Sequence, residues 1–303
     1  MVESEGSLDV LCLGLANHDL LVAVEGYPPP DAKMEALDLE EQGGGPAASA
    51  SVAIARLGGK VALLSTVGDD ERGERILADL AKEGVDVSRC TRAPGTSSSL
   101  SVIVVDRKAG TRNVFHYLGT MPFRVEQVDP VLVRSARVLL VDSQMPRSAL
   151  EATGIAREAG VPVVVDPGEP KPGVEELMAA ADYLIPPVNM ALWVTGEEDP
   201  ERAGVALLGR GAKAVVVTLG AAGYLVATAE GVRRESAFPV EVVDTTGAGD
   251  AFHGGFAFAL ARGRPLLEAA RFAAAVAALK CRKPGGRAGL PTLSEVEELL
   301  SRG

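Results

Sequence analysis

Along this chain the spacing of hydrophobic and polar positions changes several times. Residues 8–14 (LDVLCLG) read as a buried strand. Residues 20–25 read as a second extended piece, ended by the turn-rich GYPPPD. Residues 33–42 (KMEALDLEEQ) tend to alternate, which predicts an exposed sheet strand. The glycines that follow precede AASASVAIARLGG, a helix of very small residues closed by Gly58 and Gly59. Residues 61–67 predict a strand and 70–82 an amphipathic helix. Residues 99–106 and 112–118 flank the turn RKAG as a hairpin.

From there strand and helix alternate. Strands are predicted at 138–141, 162–166, 183–185 and 214–218, and helices at 148–159, 174–181, 190–194 and 201–208. Residues 224–227 and 232–236 add a short antiparallel pair; helices at 250–261, 266–279 and 294–300 close the chain. Alternation of this kind predicts an α/β fold, a mostly parallel central sheet covered by helices on both faces. The half-polar strands at about 19–42 and 99–120 do not fit that sheet. They predict a small β-lid, made of two insertions, over a cleft. No repeat, low-complexity tract or linker interrupts residues 1–303, so they read as one domain carrying this lid.

Composition narrows the partners. With 303 residues, 47% of them hydrophobic, the chain can bury a large core. A net charge of −11 argues against nucleic acid, because phosphate contacts need clustered Lys and Arg. It leaves room for a small anionic substrate, which needs only a few local cations. The start, MVESEGS, lacks the basic and apolar regions of a secretory signal. The most apolar helical segment, 272–279, is far shorter than the roughly 20 residues that span a bilayer. Cys12, Cys90 and Cys281 are widely separated, which predicts neither a disulfide framework nor a zinc site. The expectation is a cytoplasmic protein without a membrane or nucleic-acid partner.

Candidate chemistry gathers in VEVVDTTGAGDAFHGGF, residues 240–256. Residues 240–243 read as a strand and Asp250 as the opening of the next helix. Ligands of a parallel α/β sheet bind at the carboxyl ends of its strands. Gly247 and Gly249 let backbone N–H groups approach an anion, and a helix N-terminus adds partial positive charge. A carboxylate at Asp250 can take the proton of an attacking hydroxyl. The same residues also read as a tight turn with Asp250 as N-cap. A dinucleotide site fits poorly, since GAGDAFHG is followed by two helices and no strand ending in an acid. His253, one turn past Asp250, reads either as facing the cleft or as a hydrogen-bonded core histidine.

Four segments carry a resemblance. DTTGAGDAFHGGFAFAL is similar to the C-terminal signature of the ribokinase-like (PfkB) carbohydrate kinases, and GGGPAASASVAIARLGGKVALLSTVGDDERG to their N-terminal signature. VVVTLGAAGYLV resembles their nucleotide-side strand and turn, and AALKCRKPGGRAGLP their adenine-side region. The resemblance spans nearly the whole chain. It implies a ribokinase-like three-layer α/β/α domain with a β-lid that often forms a homodimer contact. The implied activity is phosphoryl transfer from ATP, with Mg²⁺, to a sugar.

Residue by residue, the resemblance implies that Asp250 is the base and that Gly247, Ala248 and Gly249 form the anion hole. Asp19 would grip sugar hydroxyls, a task suited to a carboxylate that accepts two hydrogen bonds. Gly44 and Gly45 would bring backbone close to the sugar. Thr218, Gly220 and Gly223 belong to the nucleotide side, with Cys281 and Gly286 near the adenine. Asp244 and Thr246 match positions that bind a monovalent cation, K⁺, in some members.

GGGPAA, FHGG and ALKCRKPGGRAG look most like the sulfofructose kinase branch. Lys33, on the first lid strand, matches its lysine. His116 and Gln144 stand where that branch has Asn and Arg; Gln144 lacks the charge and fork of Arg, and His116 is mostly neutral at pH 7. Arg112 and Arg147 are the nearby cations able to compensate. Two further departures are Ala48, where many members carry Asn, and Pro187-Val188-Asn189-Met190, where many carry an N-x-x-E motif that organises Mg²⁺ through water. The implied function is a kinase of a keto- or aldose sugar, with sulfofructose or a sugar phosphate among the candidates. A nucleoside kinase is the alternative within the fold, and a non-catalytic sugar-binding regulator the alternative outside catalysis. Only 4% aromatics, with no cluster near Asp19 to stack a base, weighs against a nucleoside.

Overall fold

A computed structural model describes residues 8–120, 128–171 and 173–302. The chain opens with β1 (Leu8–Leu13), β2 (Asn17–Val24), β3 (Asp38–Gly44), α1 (Pro46–Arg56), β4 (Val61–Leu64), β5 (Thr66–Gly68) and α2 (Glu71–Lys82). β6 (Thr91–Ala93), β7 (Leu100–Asp106) and β8 (Thr111–Tyr117) follow. The alternating part runs α3 (Pro130–Ser135), β9 (Ala136–Asp142), α4 (Pro146–Ala159), β10 (Val163–Asp166), α5 (Val174–Ala179), β11 (Tyr183–Leu184), α6 (Val188–Thr195), α7 (Pro200–Leu208) and β12 (Ala214–Thr218). It closes with β13 (Tyr224–Thr228), β14 (Gly231–Glu235), α8 (Ala248–Ala261), α9 (Leu266–Lys280) and α10 (Leu293–Arg302).

The main sheet has the order β14-β13-β12-β11-β10-β9-β1-β4. It is parallel from β12 to β4, with β13 and β14 added antiparallel. Its strands are apolar on both faces because both faces are covered. Along β1, Val10 and Cys12 pack in the layer of α1, α8 and α9, while Leu11 and Leu13 pack in the layer of α4, α5 and α7. The α/β/α expectation therefore holds. Parallel strands bring Asp142, Asp166 and Thr218, the last residues of β9, β10 and β12, to one carboxyl edge.

The lid is a second sheet of order β3-β2-β7-β8. Its register pairs Asp19 with Gln42 and Ser101, and Ser101 with His116, so these four share one face. Leu20, Val102 and Phe115 lie on the opposite face.

Three expectations need correction. The lid strand expected over 33–42 begins only at Asp38, which pairs with Ala23; the Leu37 amide still reaches the Ala23 carbonyl at 2.8 Å, but β2 ends at Val24 and the residues before Leu37 run past it. Lys33 is consequently exposed and off the strand. The strand expected over 61–67 breaks at Ser65, and β5 leaves the main sheet to pair with β6. Residues 240–243 form no strand. Val242 and Val243 are each 58% exposed, and the run is held through the Val243 amide on the Cys281 carbonyl at 2.8 Å. Its β-branched residues favour extended chain, but among the described residues no neighbouring strand pairs with it.

Candidate active site

The start of α8 needs a glycine twice over. Gly247 caps the helix with φ 73°, and a Cβ there would lie 2.7 Å from the Gly286 carbonyl oxygen. The Thr245 carbonyl takes the Ala248 amide at 3.1 Å, whereas no acceptor among the described residues reaches the amides of Gly249 and Asp250. Free amides at a helix N-terminus are a ready anion site. Asp250 is the third residue of the helix and not its cap, which removes the purely capping role.

The Asp250 carboxyl is pushed up to about 7, first by burial and then by Asp166 and Asp142; His253 and Arg287 pull it down. Asp142 is almost fully enclosed. Its Oδ2 accepts the amides of Leu15 (2.8 Å) and Ala47 (3.1 Å), and its Oδ1 that of Gln144 (2.9 Å). One carboxylate thereby ties together the turns after β1 and β9 and the start of α1. Burial still drives it up to about 6, and the Asp166 charge adds to that.

Asp166 accepts the Gly168 amide at 2.8 Å on Oδ1, and its Oδ2 lies 3.4 Å from His253 Nδ1. His253 Nε2 is 2.9 Å from the Ile185 carbonyl. A carbonyl only accepts, so Nε2 carries a proton and Nδ1 is the atom turned to Asp166. His253 is thus both a bonded, buried histidine and a neighbour of the site's carboxylates.

On the lid side, Asp19 accepts the Asn17 side-chain amide at 2.6 Å. Gly44 leaves it room, since a Cβ there would lie 2.3 Å from Asp19 Oδ2. Gly45 caps α1. Burial raises the Asp19 carboxyl. Arg287, only 7% exposed, donates from Nη2 to the Gly44 carbonyl at 2.8 Å and from Nε to Ser49 Oγ at 3.3 Å. Its charge faces both Asp19 and Asp250, and burial lowers its guanidinium to about 10. Lys171, half-buried after β10, faces Asp142, Asp166 and Glu169 and adjoins His116. Burial pulls the His116 imidazole down, while Asp19 acts the other way.

Behind the anion site, Asp244 Oδ1 accepts the Thr246 amide and hydroxyl, each at 2.8 Å, and Oδ2 the Gly285 amide at 2.8 Å. The Cys281 carbonyl takes the amides of Val243 (2.8 Å) and Asp244 (3.1 Å). The Gly286 amide donates to Gln42 Oε1 at 3.0 Å, joining this loop to the lid. The structure therefore gathers Cys281 and Gly286 against the loop that precedes Gly247. Thr218 ends β12 with its amide on the Pro186 carbonyl at 3.0 Å; Gly220 opens a single 3₁₀ turn that closes at Gly223.

Asp142, Asp166, Lys171, Gln42 and Arg287 were not singled out by sequence. VLLVD and VVVD each end a strand in Asp at the ligand-binding edge, a signal that was available for the first two. Pro187 caps α6 and Met190 is fully buried, so neither offers an oxygen to magnesium-bound water. Among the described residues no cluster of His, Cys, Asp or Glu is placed to hold a metal. Mg²⁺ carried on nucleotide phosphates needs no such cage. A cavity of about 610 Å³ opens between the lid (Leu21, Val105, Arg112) and the loop carrying Asp244 and Thr246. Neither Asp19 nor Asp250 lines it, so the chemistry is placed by the carboxyl edge of the sheet and not by this opening.

A carboxylate over free helix amides, at the carboxyl edge of a parallel sheet and under a β-lid, defines a phosphotransferase class of site. Residues 7–293 match the pfkB family of carbohydrate kinases, and the chain belongs to that family of ATP-dependent phosphotransferases. It is 30% identical over 299 residues to a ribokinase of Haemophilus influenzae, covering 95% of this chain and 97% of that one. A solved putative ribokinase from Agrobacterium tumefaciens superposes with a TM-score of 0.92 at 36% identity, with 98% of each chain covered. The Arabidopsis thaliana ribokinase complexed with ribose and ATP superposes with a TM-score of 0.88 at 26% identity, covering 97% of this chain and 99% of that one.

Proposed function

We propose that the protein transfers the γ-phosphoryl of ATP to a hydroxyl of a neutral keto- or aldose sugar. Asp19 holds sugar hydroxyls under the lid, and Asp250 takes the proton of the attacking hydroxyl. The free amides of Gly249 and Asp250, presented by the Gly247–Gly249 turn, hold the moving phosphoryl, where fixed dipoles stabilise its charge without reorganisation. ATP lies along Thr218, Gly220 and Gly223, with Cys281 and Gly286 behind the anion site. Mg²⁺ bound to the nucleotide phosphates would offset their charge. The observation that carries this reading is Asp250 itself, a carboxyl pushed up to about 7 in the first turn of α8.

Charge supports a neutral acceptor. Asp19, Asp166 and Asp250 stand on the acceptor side against Lys171 and Arg287, with Asp142 buried behind them. Carboxylates suit polyol hydroxyls and oppose a sulfonate or phosphate. Lys33, the match to the sulfofructose branch, stands exposed ahead of β3. The lid aromatics Phe115 and Tyr117 lie on the face away from Asp19, which leaves the His116 imidazole as the lid ring on its side. The outer lid face supports a homodimer. ADP release should be measured over neutral pentoses and hexoses, sugar phosphates, sulfosugars and nucleosides. Highest kcat/KM on a neutral sugar is expected; highest kcat/KM on a sulfosugar or nucleoside would refute the neutral-sugar reading.

A further inference from the structure

We infer that the Lys280 ammonium stands where a monovalent cation would, so that this kinase works without K⁺. The inference rests on the kinase reading of the 244–250 loop. The residues implied for such an ion are Asp244 and Thr246, and their surroundings do not fit one. Lys280, the last residue of α9, is 0% exposed, and its Nζ donates to the Asp244 backbone carbonyl at 3.0 Å. The next residue, Cys281, takes the amides of Val243 and Asp244 on its carbonyl, so the end of α9 and this loop are stitched together. The ammonium and the Cys281 carbonyl thus hold the same loop from one helix end.

The carboxylate of Asp244 is also engaged. A carboxylate offers about four acceptor positions. Thr246 fills two with its amide and hydroxyl, and Gly285 a third. The lid's Arg112 brings a guanidinium within 3.8 Å of Oδ1. An added K⁺ would be a third positive charge around one carboxylate, with its carbonyl ligand already taken. The tethered ammonium serves the same end as an ion. It fixes the backbone ahead of Gly247 and sets positive charge behind the amides that receive the phosphoryl.

Turnover and melting temperature should be compared in KCl and choline chloride at matched ionic strength. For the wild type both are expected to be the same in the two salts. Lys280→Ala vacates the side-chain volume. In choline chloride it is expected to lose about tenfold or more in kcat, the scale of removing fixed charge at a developing anion. KCl, and not choline chloride, should then restore turnover and raise the melting temperature of this variant. Activation or thermal stabilisation of the wild type by K⁺ would overturn the inference. So would a Lys280→Ala enzyme that keeps full turnover without K⁺, or loses turnover that K⁺ does not restore. If the variant does not fold, the wild-type salt comparison decides alone. The melting readout needs no turnover, so it separates a failure here from a failure of the kinase reading.

Discussion

Asp250 concentrates most of what can be tested at single residues. Asp250→Asn keeps the shape but cannot accept a proton. A loss of about 10²–10⁴ in kcat, with nucleotide affinity retained, is the expected result, read from steady-state kinetics and equilibrium binding of ATP. Near wild-type turnover would rule out the base. Its titration sets a pH limb. The base acts as carboxylate, so kcat/KM for the sugar should rise with pH through about 7 and level off above. Asp166 raises that carboxyl and His253 lowers it. Asp166→Asn should therefore move the limb to lower pH and His253→Gln to higher pH; profiles that do not move in these directions would deny the coupling. Asp250 and its glycines were legible because they stand together in one stretch. Arg287, Asp142, Asp166 and Lys171 come from separate segments, and only the fold shows that Arg287 faces Asp19 and Asp250 at once.

Among the elements, β3 does more than its position on the lid suggests. Gln42 lies beside Asp19 in the ladder and reaches out to the Gly286 amide. Gly286 in turn packs against Gly247, so lid and anion site are one turn of chain apart. Gln42→Leu removes the acceptor, whereas Gln42→Glu keeps an oxygen in its place. The Leu variant should lower kcat by roughly tenfold, about 1.4 kcal/mol, with little change in KM for ATP, and the Glu variant should recover part of it. Equal kinetics for the two variants would mean that the contact only holds shape. The lid hairpin and the α/β alternation were readable, since each rests on local period. Residues 240–243 and 33–37 were misread for one reason. Their composition favours strand, but a strand exists only where a neighbour completes its ladder, and among the described residues neither run is paired along its length.

At the scale of the whole molecule, the lid leaves an apolar surface uncovered. Leu39 and Phe115 are each 62% exposed and Tyr117 48%, and the register sets them with Leu20, Val22, Val102 and Val104 on the face turned from Asp19. Several apolar side chains in a row across one sheet are more than the scattered exposure of an ordinary surface. A second copy of the same lid would cover them symmetrically, as closed pairs of identical chains do. Sedimentation velocity is expected to give the mass of a dimer at assay concentrations. Phe115→Glu places a charge on that face, and burying it without a partner is costly. The variant should sediment as a monomer with an unchanged melting midpoint for the main sheet. Because the opposite face of the same lid presents Asp19, Ser101 and His116, its KM for the sugar should rise while its KM for ATP stays put. A wild-type chain that sediments as a monomer would leave the lid to act within one chain, and the apolar face would need another cover.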